Sequence, residues 1–131
     1  MDTPIYSNGK VRKFCFRFHP NTANDVDPTD TTYCQGPGRM EVASIVYSAT
    51  GIHTITLKNR HSYILGVVAK LHIATAPGPS PVEAYGTAEG MSAANSFALI
   101  SYVNGTATAV TYATTSWIFV EVTVMENAEA P

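Results

Sequence analysis

Four histidines, His19, His53, His61 and His72, are the first residues in this chain with the means to do chemistry, and that chemistry would be metal binding. None stands in a HExxH or HxH spacing, and Cys15 and Cys34 are not at zinc spacing from each other. His53 and His72 fall inside strand patterns, where histidine commonly serves as a half-buried polar residue. Asp25, Asp27 and Asp30, with Asn21 and Asn24 nearby, are the oxygen-rich types a hard cation wants. A calcium loop counted from Asp25 would need glycine sixth and glutamate twelfth, however, and those positions hold Asp30 and Gly36. Turns capped by Asp side chains are therefore expected there.

The remaining catalytic patterns also fail. No GxSxG elbow occurs, and the serines lack a neighbouring His–acid arrangement. Glu41, Glu83, Glu89 and Glu121 are scattered without a spacing that argues for paired-carboxylate work. Gly86-Thr87-Ala88-Glu89-Gly90 bears glycines but lacks the Walker lysine. The expectation is a protein that is not an enzyme, with no cofactor and no metal. Aromatic residues are left. Trp117, Tyr102, Tyr112 and Tyr85 suit a sugar-stacking platform, and they equally suit a protein interface, where Tyr and Trp bury large areas while keeping a polar tip. The interface is preferred, with Tyr102, Tyr112 and Trp117 as expected oligomer contacts.

The elements that must position these residues read as strands. In residues 11–18, Phe14, Phe16 and Phe18 take one face and Lys13, Cys15 and Arg17 the other. Residues 41–47 and 51–57 flank the turn Ala49-Thr50-Gly51 as a hairpin. In residues 63–76, Tyr63, Leu65, Val67, Ala69, Leu71 and Ile73 share a face, with Lys70 and His72 opposite. Residues 82–86, 97–103 and 108–112 follow, and the last strand, 117–125, points Ile118, Val120, Val122 and Val124 inward and Glu121 and Thr123 outward. Residues 19–38 read as a long structureless connection, and Pro77-Gly78-Pro79-Ser80-Pro81 as a stiff linker between halves of the sheet structure. The spacing predicts an all-β fold: an antiparallel β-sandwich, jelly-roll-like domain over residues 11–126, with an extended N-terminal arm over 1–10 and a tail over 127–131.

Charged residues make up 14% of the 131, against roughly a quarter in ordinary soluble domains. A surface so poor in ionic groups is expected to be partly covered by companions. The formal net charge of −2 argues against nucleic-acid binding. No stretch approaches the ~20 apolar residues of a membrane helix, and residues 1–10 hold no apolar signal core, so synthesis in the cytosol is expected. There the cysteines read as free thiols, Cys15 on a strand and Cys34 in a loop, with a disulfide between them left open. Asn104-Gly105-Thr106 reads as a turn. The basic stretch Lys10, Arg12, Lys13, Arg17 and the acids Glu121, Glu126, Glu129 form two solvated ends, or else ends that dock on neighbouring subunits.

The run 43–57, ASIVYSATGIHTITL, followed by Tyr63-Ile64-Leu65-Gly66-Val67, resembles small virion proteins of tailed bacteriophages. Phe14-Cys15-Phe16-Arg17-Phe18-His19-Pro20-Asn21 is similar to their FxFRxxPN-like opening, and Val103-Asn104-Gly105 to their late VNG turn. The cysteine pair, the Pro-rich linker and the Asp-rich loop depart from that pattern. The resemblance implies a capsid decoration, or cement, protein: a non-enzymatic β-domain, usually trimeric, on the outer capsid surface of the virion. Its partner would be the major capsid protein, and it would be made in the host cytoplasm. The lattice contacts expected on this reading are Ile5, Tyr6, Lys10 and Arg12 in and beside the arm, and Asn21, Asp25, Asp27, Asp30 and Tyr33 in the loop. The alternative is a receptor- or glycan-binding module of a fibre or tail.

Overall fold

The computed structural model describes residues 10–20, 24–59, 63–72, 82–86, 95–102 and 116–126. They form two four-stranded antiparallel sheets packed as a β-sandwich. Strands β1 (Lys10–Phe18), β2 (Cys34–Gln35), β5 (Tyr63–His72) and β8 (Trp117–Glu126) make sheet A in the order β2-β1-β8-β5. Strands β3 (Val42–Ala49), β4 (Ile52–Leu57), β6 (Val82–Gly86) and β7 (Ser96–Ser101) make sheet B in the order β3-β4-β7-β6. Among the described residues the antiparallel pairs β3-β4 and β6-β7 lie side by side in sheet B.

The alternation in β1 and β8 is what builds the core. Phe14, Phe16 and Phe18 point inward from β1, and Ile118, Val120, Val122 and Val124 from β8, all buried. The two strands pair over nine positions, from Lys10 opposite Glu126 to Phe18 opposite Ile118. Sheet B answers with Val42, Ile45, Ile55, Leu57, Phe97 and Leu99. Such a two-sided apolar interior is the main stabiliser of a sandwich, at roughly 25 cal/mol per Å² of apolar surface removed from water. Gly51, at φ 73, closes the β3–β4 hairpin where the turn was expected.

Four expectations need correction. In β5 the register slips between Ile64 and Gly66, so the strand carries a bulge. Ile64, not Tyr63 or Leu65, is buried, and Leu65 is 47% exposed; beyond the bulge Val67, Ala69 and Leu71 pack on the core as read. Ile73 lies outside the described residues. Lys10 belongs to β1 rather than to an arm. The connection after β1 is not structureless: it bridges Val26 to Ile45 of β3, forms β2, and ends in a 3₁₀ turn over Pro37–Glu41. Cys34 is therefore on a strand, fully buried beside Phe18, and not in a loop.

Both cysteines are free thiols. Cys34 pairs with Phe18 on the inward face, while Cys15 lies three residues back along β1 with the opposite parity, so the two sulfurs sit on opposite sides of the sheet. Burial pushes the Cys34 thiol up to about 11. A thiol-reactive disulfide reagent at pH 8 is expected to label Cys15 in the native protein and to reach Cys34 only in denaturant; fast native labelling of both would contradict this packing.

The expected strand at 108–112, the Pro-rich linker at 77–81, the turn at Asn104, residues 1–9 and the tail 127–131 lie outside the described residues.

Candidate docking surface

Three of the five exposed large apolar side chains among the described residues, Leu65, Val68 and Phe119, sit on β5 and β8. That concentration marks the outer face of sheet A as the surface to build. Strand parity sends Lys13, Cys15 and Arg17 outward from β1, Trp117, Phe119, Glu121 and Thr123 from β8, and Val68, Lys70 and His72 from β5. Register then sets the rows. Arg17, Phe119 and Lys70 line up across three strands, as do Cys15, Glu121 and Val68, and His72 stands opposite Trp117. Val68 and Phe119 are diagonal neighbours, close enough for one partner residue to cover both. Lys13 Nζ lies 3.9 Å from Glu121 Oε1, an exposed pair of small energetic worth.

One end of this face is rigid. The Arg17 guanidinium carbon lies 4.0 Å from the centre of the Trp117 ring, and the His19 ring centre lies 3.5 Å from the same point. His19 in turn has Nδ1 2.6 Å from the Ser116 carbonyl oxygen and meets the edge of Tyr33. Arg17 donates from Nε (3.3 Å) and Nη2 (2.8 Å) to Gln35 Oε1, and Gln35 Nε2 donates to the Thr31 carbonyl at 3.0 Å. Between these groups and Phe119 opens a cleft of about 300 Å³ lined by Phe16, Arg17, Gln35, Gly36 and Phe119.

The residues singled out from the sequence divide by location. Trp117 is half-buried, with Arg17 and His19 of its own chain packed on the ring, and Tyr102 is half-buried at the end of β7. Arg12 shares parity with Phe14 and caps the far end of the core, where Nη2 donates to Glu41 Oε1 at 2.7 Å. The loop acids hold the loop: Asp25 accepts the Tyr47 N–H at 2.8 Å, Asp27 accepts from Thr29 N and Oγ1, and Asp30 accepts from Thr32 N. The hydrogen bonds from Thr29 lower the Asp27 pKa below the usual carboxylate value. Tyr33 is half-buried against the core. Among the described residues no group of three His, Cys, Asp or Glu comes together to hold a metal ion. Ile5, Tyr6, Asn21 and Tyr112 lie outside the described residues, as does the side chain of Lys10.

Sequence reasoning passed over Gln35, Val68, Phe119 and the stack on Trp117, and took Arg17 only as one cation of a basic end. The signal that would have found them is the β1–β8 register: once Phe18 is set opposite Ile118, Arg17 faces Phe119 and His19 is carried to Trp117. Comparison of the chain with protein-family models, with curated proteins and with solved structures finds no match.

Proposed function

We propose that this chain is a non-enzymatic virion structural protein of the capsid decoration type, docking through the outer face of sheet A on a lattice of major capsid protein. The observation that carries the reading is the pair of exposed apolar side chains Phe119 (38% exposed) and Val68 (49% exposed), diagonal neighbours on the outer face of sheet A flanked by Arg17 and Lys70, on a firmly packed sandwich. Exposed apolar surface rimmed by polar groups is what a docking site needs, and the low ionic content of the chain agrees with a covered exterior. The resemblance of residues 14–21, 43–57 and 63–67 to small phage virion proteins supports the partner class. Each copy would bind only assembled subunits and so shift the balance toward the intact shell. A homotrimer at three-fold positions would reuse one contact set three times.

The glycan-binding alternative loses its best residue. Arg17 and His19 already pack on the Trp117 ring at 4.0 and 3.5 Å from its centre, where a sugar ring would have to stack.

Co-sedimentation with heads assembled from the cognate major capsid protein tests the proposal, with light scattering to read the oligomer. Phe119→Ser is expected to weaken head binding about 30-fold, as removal of a central aromatic anchor does. Unchanged binding of Phe119→Ser and Val68→Ser, or a folded protein that ignores heads, overturns it.

A further inference from the structure

The cleft beside Arg17 has a chemistry more specific than an apolar patch. A surface arginine ordinarily samples many rotamers, and fixing it costs conformational entropy. Here the guanidinium is fixed in advance, stacked at 4.0 Å on Trp117 and tied through Nε and Nη2 to Gln35 Oε1. Those partners are fixed in turn, Gln35 by the Thr31 carbonyl and Trp117 by His19. Arg17 carries five N–H donors, and Gln35 is a single neutral acceptor. Among the described residues Nη1 has no acceptor, and no carboxylate pairs with Arg17.

The surroundings select the missing group. The cleft is walled by the Phe119 ring and by Gly36, whose backbone comes so close to β1 that a Cβ there would stand 3.0 Å from Phe16 Cα. Lys70 lies on the far side of Phe119 in the same row, two strand spacings or about 10 Å from Arg17. Glu121, the acid among the described residues of this face, is already beside Lys13. The row is thus net positive, narrow and partly apolar. A planar two-oxygen acceptor on an apolar stem matches it.

We infer that this cleft is a receptor for a carboxylate, a glutamate or aspartate side chain that a protein partner presents beside an apolar residue. The carboxylate takes the free Nη edge of Arg17, and the apolar neighbour covers Phe119 and Val68. The assignment rests on the docking surface proposed above and names the chemistry its partner must supply there.

The Arg17 side-chain N–H and Trp117 indole N–H resonances, followed by ¹⁵N NMR, give the test. Titration with N-acetyl-Leu-Glu-amide is expected to shift both and to saturate. N-acetyl-Leu-Gln-amide should bind about tenfold more weakly, the factor separating a charge-assisted from a neutral hydrogen bond. The glutamate response should vanish in Arg17→Gln. Equal response to both peptides, a glutamate response that persists at Trp117 in Arg17→Gln, or inorganic phosphate binding as tightly as the glutamate peptide overturns the inference. Glutamate selectivity in a protein that ignores heads upholds the receptor and rejects decoration. Heads that bind Arg17→Gln as tightly as the parent, with no peptide selectivity, reject the receptor and leave decoration standing.

Discussion

Gly38→Ala is expected to lower the thermal unfolding midpoint by roughly 10 °C, a loss of about 3 kcal/mol. Gly38 is buried in the 3₁₀ turn, which lies directly on β1. A Cβ at this position would stand 2.4 Å from the Cys15 carbonyl oxygen, 2.7 Å from its carbonyl carbon and 2.8 Å from its nitrogen. All three are backbone atoms of a central strand, so no side chain can swing aside. The turn must lift instead, and several contacts lift with it. Just before it lie the β2 pairs to Arg17 and Phe18, and at its end Glu41 holds Arg12. Gly66→Ala is the internal control, because a Cβ there meets nothing within 4 Å; its midpoint should stay within a degree or two of the parent. Circular dichroism melts of the two variants decide the matter. Equal midpoints would mean the turn does not sit on β1 as described.

Gly38 also shows where sequence patterns stop informing. Gly36 and Gly38 read as loop punctuation, yet one takes φ 106 and the other is required by a backbone-to-backbone approach that no local pattern encodes. The strands that carry the core were legible because they are long and one-sided. Phe14, Phe16 and Phe18 alternate with polar residues, and Ile118 to Val124 do the same, so a period of two fixes their faces. The phase of β5 up to the bulge was not legible, because one extra residue at Leu65 swaps the faces without altering composition. A two-residue strand such as β2 has no period at all, which is why Cys34 read as loop.

The docking surface was legible in its parts but not in its assembly. Trp117 stood out as the sole tryptophan, and Arg17 as one cation of a basic stretch. What joins them is an antiparallel pairing between the first and last strands of the body, a contact across a hundred residues of chain. Arg12 was legible in principle, since its parity matches Phe14 and sends it to the packed side, where Glu41 receives it. The acids of the loop did follow local rules: Asp27 and Asp30 each accept an amide two residues on, as short acidic side chains do in turns.

The second large effect expected is loss of stability in mild acid, and its source is one ring. His53 on β4 is 1% exposed, and among the described residues neither Nδ1 nor Nε2 has a hydrogen-bond partner. It meets Phe18 at 5.5 Å and Tyr47 at 5.9 Å, both edge-on. Burial pushes its pKa down to about 4 from 6.5, and the nearby charge of Asp25 only partly opposes this. An unfolded chain takes up a proton at His53 near pH 6.5, whereas the folded chain refuses it until about pH 4. Between those values the unfolded state binds more protons, so stability falls as pH falls: about 2 kcal/mol lost by pH 5 and about 3 kcal/mol by pH 4. Carboxylates titrate in the same range, so the measurement is a difference between two proteins. Urea midpoints of the parent and of His53→Leu, at pH 7.5, 6, 5 and 4, should diverge steadily toward acid in favour of the leucine variant. Leucine brings similar volume and no orphaned nitrogens, so the variant should hold its own at pH 7.5 as well. Parallel profiles would mean that the folded protein protonates His53 as readily as the unfolded chain does, and hence that water or a polar partner reaches the ring.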